Sequence, residues 1–188
     1  PLSGTKWIIE TIQRGIIGAI TKKQKEYLDE IYQINERMIK LVFDMLNVLH
    51  LESGAVMIKK ETIPIVDLYG ELSLVMKSAA KGRGITLRNA LKNHKAFFIE
   101  TDRQMLRSIL ECLVSNAINY SKPGQEVVLD VREESTTIVF FIEDHGIGIP
   151  KEEQKQIFER FYRASNAKAM KPDGTGLGLY IAMMLADK

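Results

Sequence analysis

Between Leu28 and Leu49 apolar residues recur every three or four positions, in two seams lying side by side. Ile31, Ile34, Met38, Leu41, Met45 and Val48 make one seam; Leu28, Tyr32, Asn35, Ile39, Val42, Leu46 and Leu49 make the other. The period is that of an α-helix, and residues 2–52 hold no proline to break it. One seam would suit a two-stranded coiled coil. Two adjacent seams form a face too wide for a single partner, and a four-helix bundle built from two chains is the natural way to bury it. Upstream, Trp7, Ile8, Ile9, Ile12, Ile16, Ile17 and Ile20 predict a first helix, weakened toward its end by Gly15 and Gly18. Thr21-Lys22-Lys23-Gln24 is expected to hold the turn. Leu51-Glu52-Ser53-Gly54 closes the second helix, with Gly54 as its left-handed cap. Residues 1–54 thus read as a dimerising helical hairpin, ahead of the alternative of a hairpin packed on its own domain.

From residue 55 the grammar changes to short strands alternating with helices. Strands are expected at Val56–Lys59, Ile85–Leu91, Lys95–Ile99, Glu126–Arg132 and Thr136–Asp144, the last two joined by a turn near Glu133–Ser135. Helices are expected at Asp67–Gly82, from an Asp102 cap to Tyr120, at Lys151–Ile157 and at Leu177–Ala186. The fold class is α+β: a helical hairpin, then residues 55–188 as an α/β sandwich with helices on one face of a mixed sheet.

Composition removes several function classes. Hydrophobic residues make up 45% of the 188, enough for a packed core. Basic and acidic residues, 26 and 24, leave a net charge of +2, which offers no electrostatic basis for binding nucleic acid. Cys112 is the single cysteine, so no internal disulfide can form. No apolar run is long enough to span a bilayer, and no stretch reads as a signal peptide; a cytoplasmic setting is expected for these residues, with any membrane anchor of the parent in other segments. The start at Pro1-Leu2-Ser3, without an initiator Met, reads as a fragment.

The chemistry concentrates in four ordered stretches. Leu113-Val-Ser-Asn116-Ala-Ile-Asn119-Tyr120-Ser121 puts amides on a helical face with Cys112 one turn away. The Asn116 oxygen would suit a hard cation, although an asparagine bonded to nearby backbone is the commoner case. Asp144-His145-Gly146-Ile147-Gly148-Ile149-Pro150 leaves a strand with a carboxylate that can accept from an exocyclic amine, and with glycines that let backbone approach a flat ligand. An ordinary Asx turn would look the same. Phe158-Glu159-Arg160-Phe161-Tyr162-Arg163 follows, readable also as an amphipathic surface helix. Last, Asp173-Gly174-Thr175-Gly176-Leu177-Gly178-Leu179 opens a helix, where freed N–H groups and the helix dipole favour an anion. Its glycine spacing is neither a dinucleotide fingerprint nor a Walker loop.

In this order the four stretches resemble the ATP-binding domain of sensor histidine kinases, whose fold is shared with gyrase, Hsp90 and MutL-type ATPases. Asn116 and Tyr120 are similar to the asparagine box; Asp144, Gly146 and Gly148 to the first glycine box. Phe158 through Arg163 looks like the phenylalanine box that marks the kinase branch, and Gly174, Gly176 and Gly178 like the second glycine box. Upstream, Pro1-Leu2 looks like the end of the segment bearing the phospho-accepting histidine, which would then lie five residues before Pro1. Residues 36–54 resemble the second dimerisation helix. Relatives usually add a strand pair after the last helix, so the domain is expected to be truncated at its C-terminus.

The resemblance implies ATP and Mg²⁺, transfer of the γ-phosphate to that upstream histidine, and onward transfer to an aspartate of a response-regulator receiver domain. It implies Asn116 as the Mg²⁺ ligand and Asp144 as the reader of the adenine amine. It places Asn119, Tyr120, Lys122, Gly146, Gly148, Ile149, Phe158, Arg163, Gly174, Thr175, Gly176, Leu177, Gly178 and Leu179 around the nucleotide, with the glycine N–H groups cradling phosphates. Arg160 or Arg163 would approach the phosphates, and residues 164–173 look like a mobile lid. Three positions depart from the pattern: Cys112 stands where asparagine is common, Asn119 where lysine or arginine is, and His145 where asparagine is. Losing the charge at 119 should loosen phosphate binding unless Lys122 compensates. His50, His94 and His145 lie in no acceptor-like context. Two rivals share the residues: an ATPase-driven clamp of the same fold, and a degenerate kinase acting as a dimeric nucleotide-binding adaptor.

Overall fold

The computed structural model describes residues 1–54, 57–93, 98–135 and 137–188. The chain forms two compact units, Pro1–Glu52 and Ser53–Lys188.

In the first unit α1 (Leu2–Gln13) and α2 (Lys22–Glu52) make an antiparallel hairpin. Its register shows in Gln13 Nε2 donating to Asp29 Oδ1 at 2.7 Å, Tyr32 Oη donating to Glu10 Oε1 at 3.3 Å, and Lys6 Nζ paired with Glu36 at 2.9 Å. Ile9 is buried, and Asn35 Nδ2 donates to the Leu2 carbonyl at 3.1 Å. The first helix is shorter than its apolar pattern predicts. Gly15 takes φ +71°, its N–H returns to the Ile12 carbonyl, and the Ile16 N–H reaches the Thr11 carbonyl. These two bonds form a Schellman stop, so Ile16 and Ile17 fall outside the helix and are exposed. Thr21 to Gln24 does not form the turn but starts α2. Gln24 Oε1 accepts from the Thr21 N–H at 2.8 Å and Thr21 Oγ1 from the Gln24 N–H at 3.3 Å, a reciprocal capping box. Beyond Glu52, Gly54 has the expected left-handed φ of +69°. Ile31, Ile34, Met38, Val42, Met45, Leu46 and Leu49 of α2 remain exposed in the single chain.

The second unit carries a two-stranded antiparallel sheet of β1 (Lys60–Pro64) and β3 (Phe98–Asp102), and a three-stranded mixed sheet in the order β2-β4-β5. In the mixed sheet β2 (Thr86–Asn89) runs parallel to β4 (Glu126–Glu134), which pairs antiparallel with β5 (Thr137–Glu143). Strand alternation sends Val127, Leu129 and Val131 into the core, where α3 (Ile65–Gly82) supplies Leu68, Tyr69 and Leu72, and α4 (Arg103–Tyr120) supplies Leu110, Val114 and Ile118. Tyr69 stacks on Phe140 at 6.0 Å and donates its hydroxyl to the Asp130 carbonyl at 3.0 Å; burial, with nearby Asp130, pushes that phenol well above its ordinary range. The opposite sheet face is polar, with Arg88 paired to Glu126 at 2.9 Å and Arg132 to Asp130 at 3.1 Å. Two shorter elements complete the unit, α5 (Ser165–Met170) and α6 (Gly178–Ala186).

Several expected elements shift. The strand anticipated at Val56–Lys59 lies instead at Lys60–Pro64; Val56 is outside the described residues, and Met57–Lys59 are not strand. Pairing decides this: Thr62 and Ile63 lie opposite Glu100 and Ile99, so β3 selects the register. The strand from Ile85 ends at Asn89 and turns into a 3₁₀ segment, Ala90–Asn93, after Asn89 Oδ1 accepts from the Leu91 N–H at 3.0 Å. That expected at Lys95–Ile99 runs from Phe98 to Asp102; residues 95–97 and His94 are outside the described residues. Lys151–Ile157 does not form an α-helix but two 3₁₀ turns, Lys151–Glu153 and Gln156–Phe158. The Asp102 cap is as expected: Oδ1 accepts from the N–H groups of Gln104 and Met105, at 3.0 and 3.1 Å. Among the described residues, no helix is long and apolar enough to cross a membrane.

Candidate nucleotide site

Helix α4 organises the candidate residues: the Ile147 N–H donates to its Tyr120 carbonyl, Lys171 Nζ to its Asn119 Oδ1, and Gly178 packs against its Cys112. Asn116 and Asn119 are half-buried, not fully enclosed in an apolar face. The Asn116 Nδ2 lies 3.9 Å from Cys112 Sγ, which directs the nitrogen end of the amide to the soft thiol and leaves the hard oxygen as the end suited to a cation. Among the described residues no group of three or more His, Cys, Asp or Glu could hold a metal ion. A divalent cation at Asn116 would therefore draw its remaining ligands from phosphates and water, the usual arrangement for Mg²⁺.

The first glycine stretch is tied to the end of α4. The Ile147 N–H donates to the Tyr120 carbonyl at 3.1 Å. A Cβ on Gly146 would overlap that same carbonyl and lie 2.8 Å from Asp144 Oδ1, so only glycine allows the approach. Asp144 Oδ1 accepts from the Gly146 N–H at 2.8 Å, the Asx turn weighed from sequence. That turn does not compete with ligand reading: it orients the carboxylate, and the second oxygen is the one an amine would use. Asp144, His145, Gly148 and Ile149 are exposed. A depression of about 490 Å³ on the polar sheet face, lined by Arg88, Asp130, Arg132 and Phe141 among others, shares only Asp144 with the candidate residues. It is a solvated sheet surface with paired charges, and it lacks the amide and glycine groups a phosphate would need.

The second glycine stretch packs closely against its neighbours. Gly176, at φ +70°, abuts the Phe161 and Tyr162 carbonyls, where a Cβ would come within 2.8 Å. A Cβ on Gly174 would lie 2.8 Å from the Arg163 guanidinium, and one on Gly178 3.1 Å from Cys112 Sγ. In this conformation the glycines serve close packing between the phenylalanine stretch, α4 and α6. Leu177 is fully buried, so its side chain packs in the interior. The Leu177 N–H is 3.4 Å from Thr175 Oγ1, and Leu179 lies half-buried in α6.

Arg163 differs from expectation. Its guanidinium donates to the carbonyls of Ala167, at 3.1 Å, Pro172, at 2.6 Å, and Lys171. It staples residues 164–173 rather than reaching toward a ligand. Arg160 lies over the Phe161 ring at 5.5 Å, and Phe158 is partly exposed. Lys122, the nearby lysine weighed as a compensating charge, is exposed beyond the end of α4, its N–H held by Gln125 Oε1 at 2.7 Å.

Two residues that sequence reasoning passed over connect these stretches. Asn166 Nδ2 donates to the Gly148 carbonyl at 2.9 Å and lies 3.3 Å from that of Ile147, joining α5 to the first glycine stretch. Glu153 Oε2 accepts from the Ser165 N–H at 2.8 Å, and that bond, foremost, holds its carboxyl below the usual carboxylate range. Neither has a spacing signal, since both contacts close only in three dimensions.

Comparisons with known proteins bear on the family and the fold. Residues 101–188 match the family model described as histidine kinase-, DNA gyrase B-, and HSP90-like ATPase. The whole chain is 29% identical to the sensor protein SrrB of Staphylococcus aureus strain N315, over 32% of that protein, and equally so to SrrB of strain COL. The chain thus spans about a third of the length of these curated relatives. Among solved structures, full-length ShkA in complex with AMPPNP superposes over 98% of this chain and 38% of its own, with a TM-score of 0.75 and 23% identity. The Acinetobacter baumannii histidine kinase AdeS covers 98% of this chain and 84% of its own, at a TM-score of 0.64 and 18% identity. Residues 101–188 thus match that ATPase family, and the chain as a whole is similar to sensor histidine kinases in sequence and in fold.

Proposed function

We propose that this chain binds Mg-ATP on the surface between α4, the Asp144–Ile149 turn and the start of α6, as the nucleotide-binding part of a protein histidine kinase. The observation that carries the reading is the clamped turn: Gly146 lies against the Tyr120 carbonyl with no room for a side chain, which fixes Asp144 beside the helix that bears Asn116. Asp144 accepts from the adenine amine. Tyr120, Gly148, Ile149 and Phe158 border the base, and Asn119, Thr175 and the N–H groups at the start of α6 face the phosphates. Asn116 would hold Mg²⁺ together with the phosphates, and the ion would supply neutralising charge there.

The phosphoryl group then passes to a neutral histidine imidazole of the parent protein. The nitrogen–phosphorus bond forms as the bond from the γ-phosphorus to the β-phosphate oxygen breaks, leaving ADP. The task of the protein is positioning: the attacking nitrogen must lie in line, within about 3–3.5 Å of the phosphorus. Onward transfer to an aspartate of a response-regulator receiver domain completes the relay. The exposed seam of α2 supports a homodimer through the hairpin. The adaptor reading rests on Cys112 and Asn119; it prevails if the parent protein binds ATP yet forms no acid-labile phosphohistidine.

Calorimetry tests the site. Asp144→Asn should weaken Mg-ATP and Mg-ADP binding at least about tenfold, because a hydrogen bond to a charged acceptor contributes roughly 1.5–3 kcal/mol. Equal affinity in folded variant and wild type removes Asp144 from the site.

A further inference from the structure

The turn that follows β5 is braced from two sides. On one side the Tyr120 carbonyl accepts from the Ile147 N–H. On the other, Asn166 of α5 turns its amide nitrogen to the same turn: Nδ2 lies 2.9 Å from the Gly148 carbonyl oxygen and 3.3 Å from that of Ile147. The Asn166 Oδ1 is enclosed and has no hydrogen-bond partner among the described residues. An enclosed oxygen left unpaired is costly, so the two carbonyls are what hold the amide in this orientation. A peptide unit is rigid and trans, with its C=O and N–H pointing opposite ways. By holding the carbonyls of Ile147 and Gly148, Asn166 therefore also sets the direction of the Gly148 and Ile149 N–H groups. The α5 segment has anchors of its own as well. The Ser165 N–H donates to Glu153 Oε2 at 2.8 Å at one end, and the Arg163 guanidinium donates to the carbonyls of Ala167, Lys171 and Pro172 toward the other. With α5 in place Asp144, Gly148 and Ile149 remain exposed, so the segment buttresses the turn without covering it.

We propose that Asn166 is a positioning residue of this site: it fixes the peptide planes of the turn that borders the base, and through them it couples the order of the 164–173 segment to nucleotide binding. This rests on the Mg-ATP reading above. A helix of six residues has little stability of its own, so α5 stays formed through what it is attached to. A bound base steadies the turn and with it the point where Asn166 attaches. A docked α5 in turn holds the turn ready for the base. Linkage makes the two effects equal in size. Asn166 itself touches no ligand and serves through the backbone it holds.

The test is a titration of the whole chain with Mg-ADP, followed by calorimetry and by amide hydrogen exchange. In wild type, saturating Mg-ADP should slow exchange of the Lys168 N–H, which donates to the Ala164 carbonyl at 3.0 Å within α5. Asn166→Ala removes the donors yet suits a helix, so α5 keeps its Glu153 and Arg163 anchors. Mg-ADP affinity should then fall about three- to tenfold, as for a neutral hydrogen bond, and Mg-ADP should no longer slow exchange in α5. Asn166→Asp, nearly the same shape but without donors and favoured near a helix start, should behave alike and replaces the alanine variant if that one does not fold. Wild-type affinity in either folded variant overturns the proposal while the site reading stands. So does a loss of affinity in which Mg-ADP still slows α5 exchange as in wild type, since the coupling would then not pass through Asn166. Wild-type α5 exchange that bound Mg-ADP leaves unchanged overturns it too. If wild type does not bind Mg-ADP, the site reading falls and this proposal with it.

Discussion

Alanine at selected glycines separates two explanations of the second glycine stretch, packing and phosphate access. At Gly176 the structure sets two costs. Its φ of +70° is left-handed, which costs a non-glycine residue roughly 1–2 kcal/mol. A Cβ there would also lie 2.7 Å from the Phe161 carbonyl carbon and 2.8 Å from the Tyr162 oxygen, backbone that cannot swing aside. Overpacking of that kind adds about 1–3 kcal/mol. Gly176→Ala should therefore destabilise by ~2–5 kcal/mol without any ligand. Gly148 is the matched control: its φ is +65°, but no atom lies within 4 Å of its Cβ position, so Gly148→Ala should lose only the ~1–2 kcal/mol of backbone strain. Gly70, exposed within α3 and with nothing within 4 Å, should gain up to about 1 kcal/mol as alanine. The assay is urea unfolding read by amide hydrogen exchange in α4, because Trp7, the sole tryptophan, lies in the hairpin and cannot report on the second unit. If Gly176→Ala unfolds like Gly148→Ala while losing nucleotide affinity, the packing argument is wrong and the open N–H cradle is right.

Two further outcomes follow from charge and exposure. Asp102 caps α4, and its carboxyl is held below the usual range, first by the Lys59 N–H and then by that of Met105. A lowered folded pKa means that this stability is fully present above the unfolded value near 3.9 and is lost as pH falls through the folded one. Asp102→Ala should thus cost about 1 kcal/mol at neutral pH, with a deficit that shrinks in acid melts; a deficit constant down to pH 2 contradicts the cap. Met38→Glu combined with Met45→Glu, both on the exposed seam of α2, should dissociate a dimer in sedimentation by bringing four carboxylates into one interface. A wild-type chain that is monomeric at high micromolar concentration refutes the bundle.

Local rules carried much of the architecture. The seams of α2 are visible because a helix repeats every 3.6 residues, and the Asp102 cap and the Gly54 left-handed turn are visible because each depends on neighbours in sequence. Where the reading shifted, a competing interaction lay elsewhere in the chain or within a single turn. The Schellman bonds at Gly15 stopped α1 despite the isoleucines beyond it, and pairing with β3 moved β1 along the chain.

For the site, the order of residues was legible and their duties were not. Asn116, Asp144 and the glycines could be named because a nucleotide-binding surface needs hard oxygens, an acceptor and bare backbone in a fixed order. Which glycine packs and which is open depends on what lies opposite, as with Gly176 against the Phe161 and Tyr162 carbonyls and Gly148 against nothing. The same holds for charge. The resemblance marked position 119 as an amide where relatives commonly carry a cation; only the tertiary structure decided that Lys171 approaches it, because a side chain 52 residues away leaves no periodic trace until the chain folds.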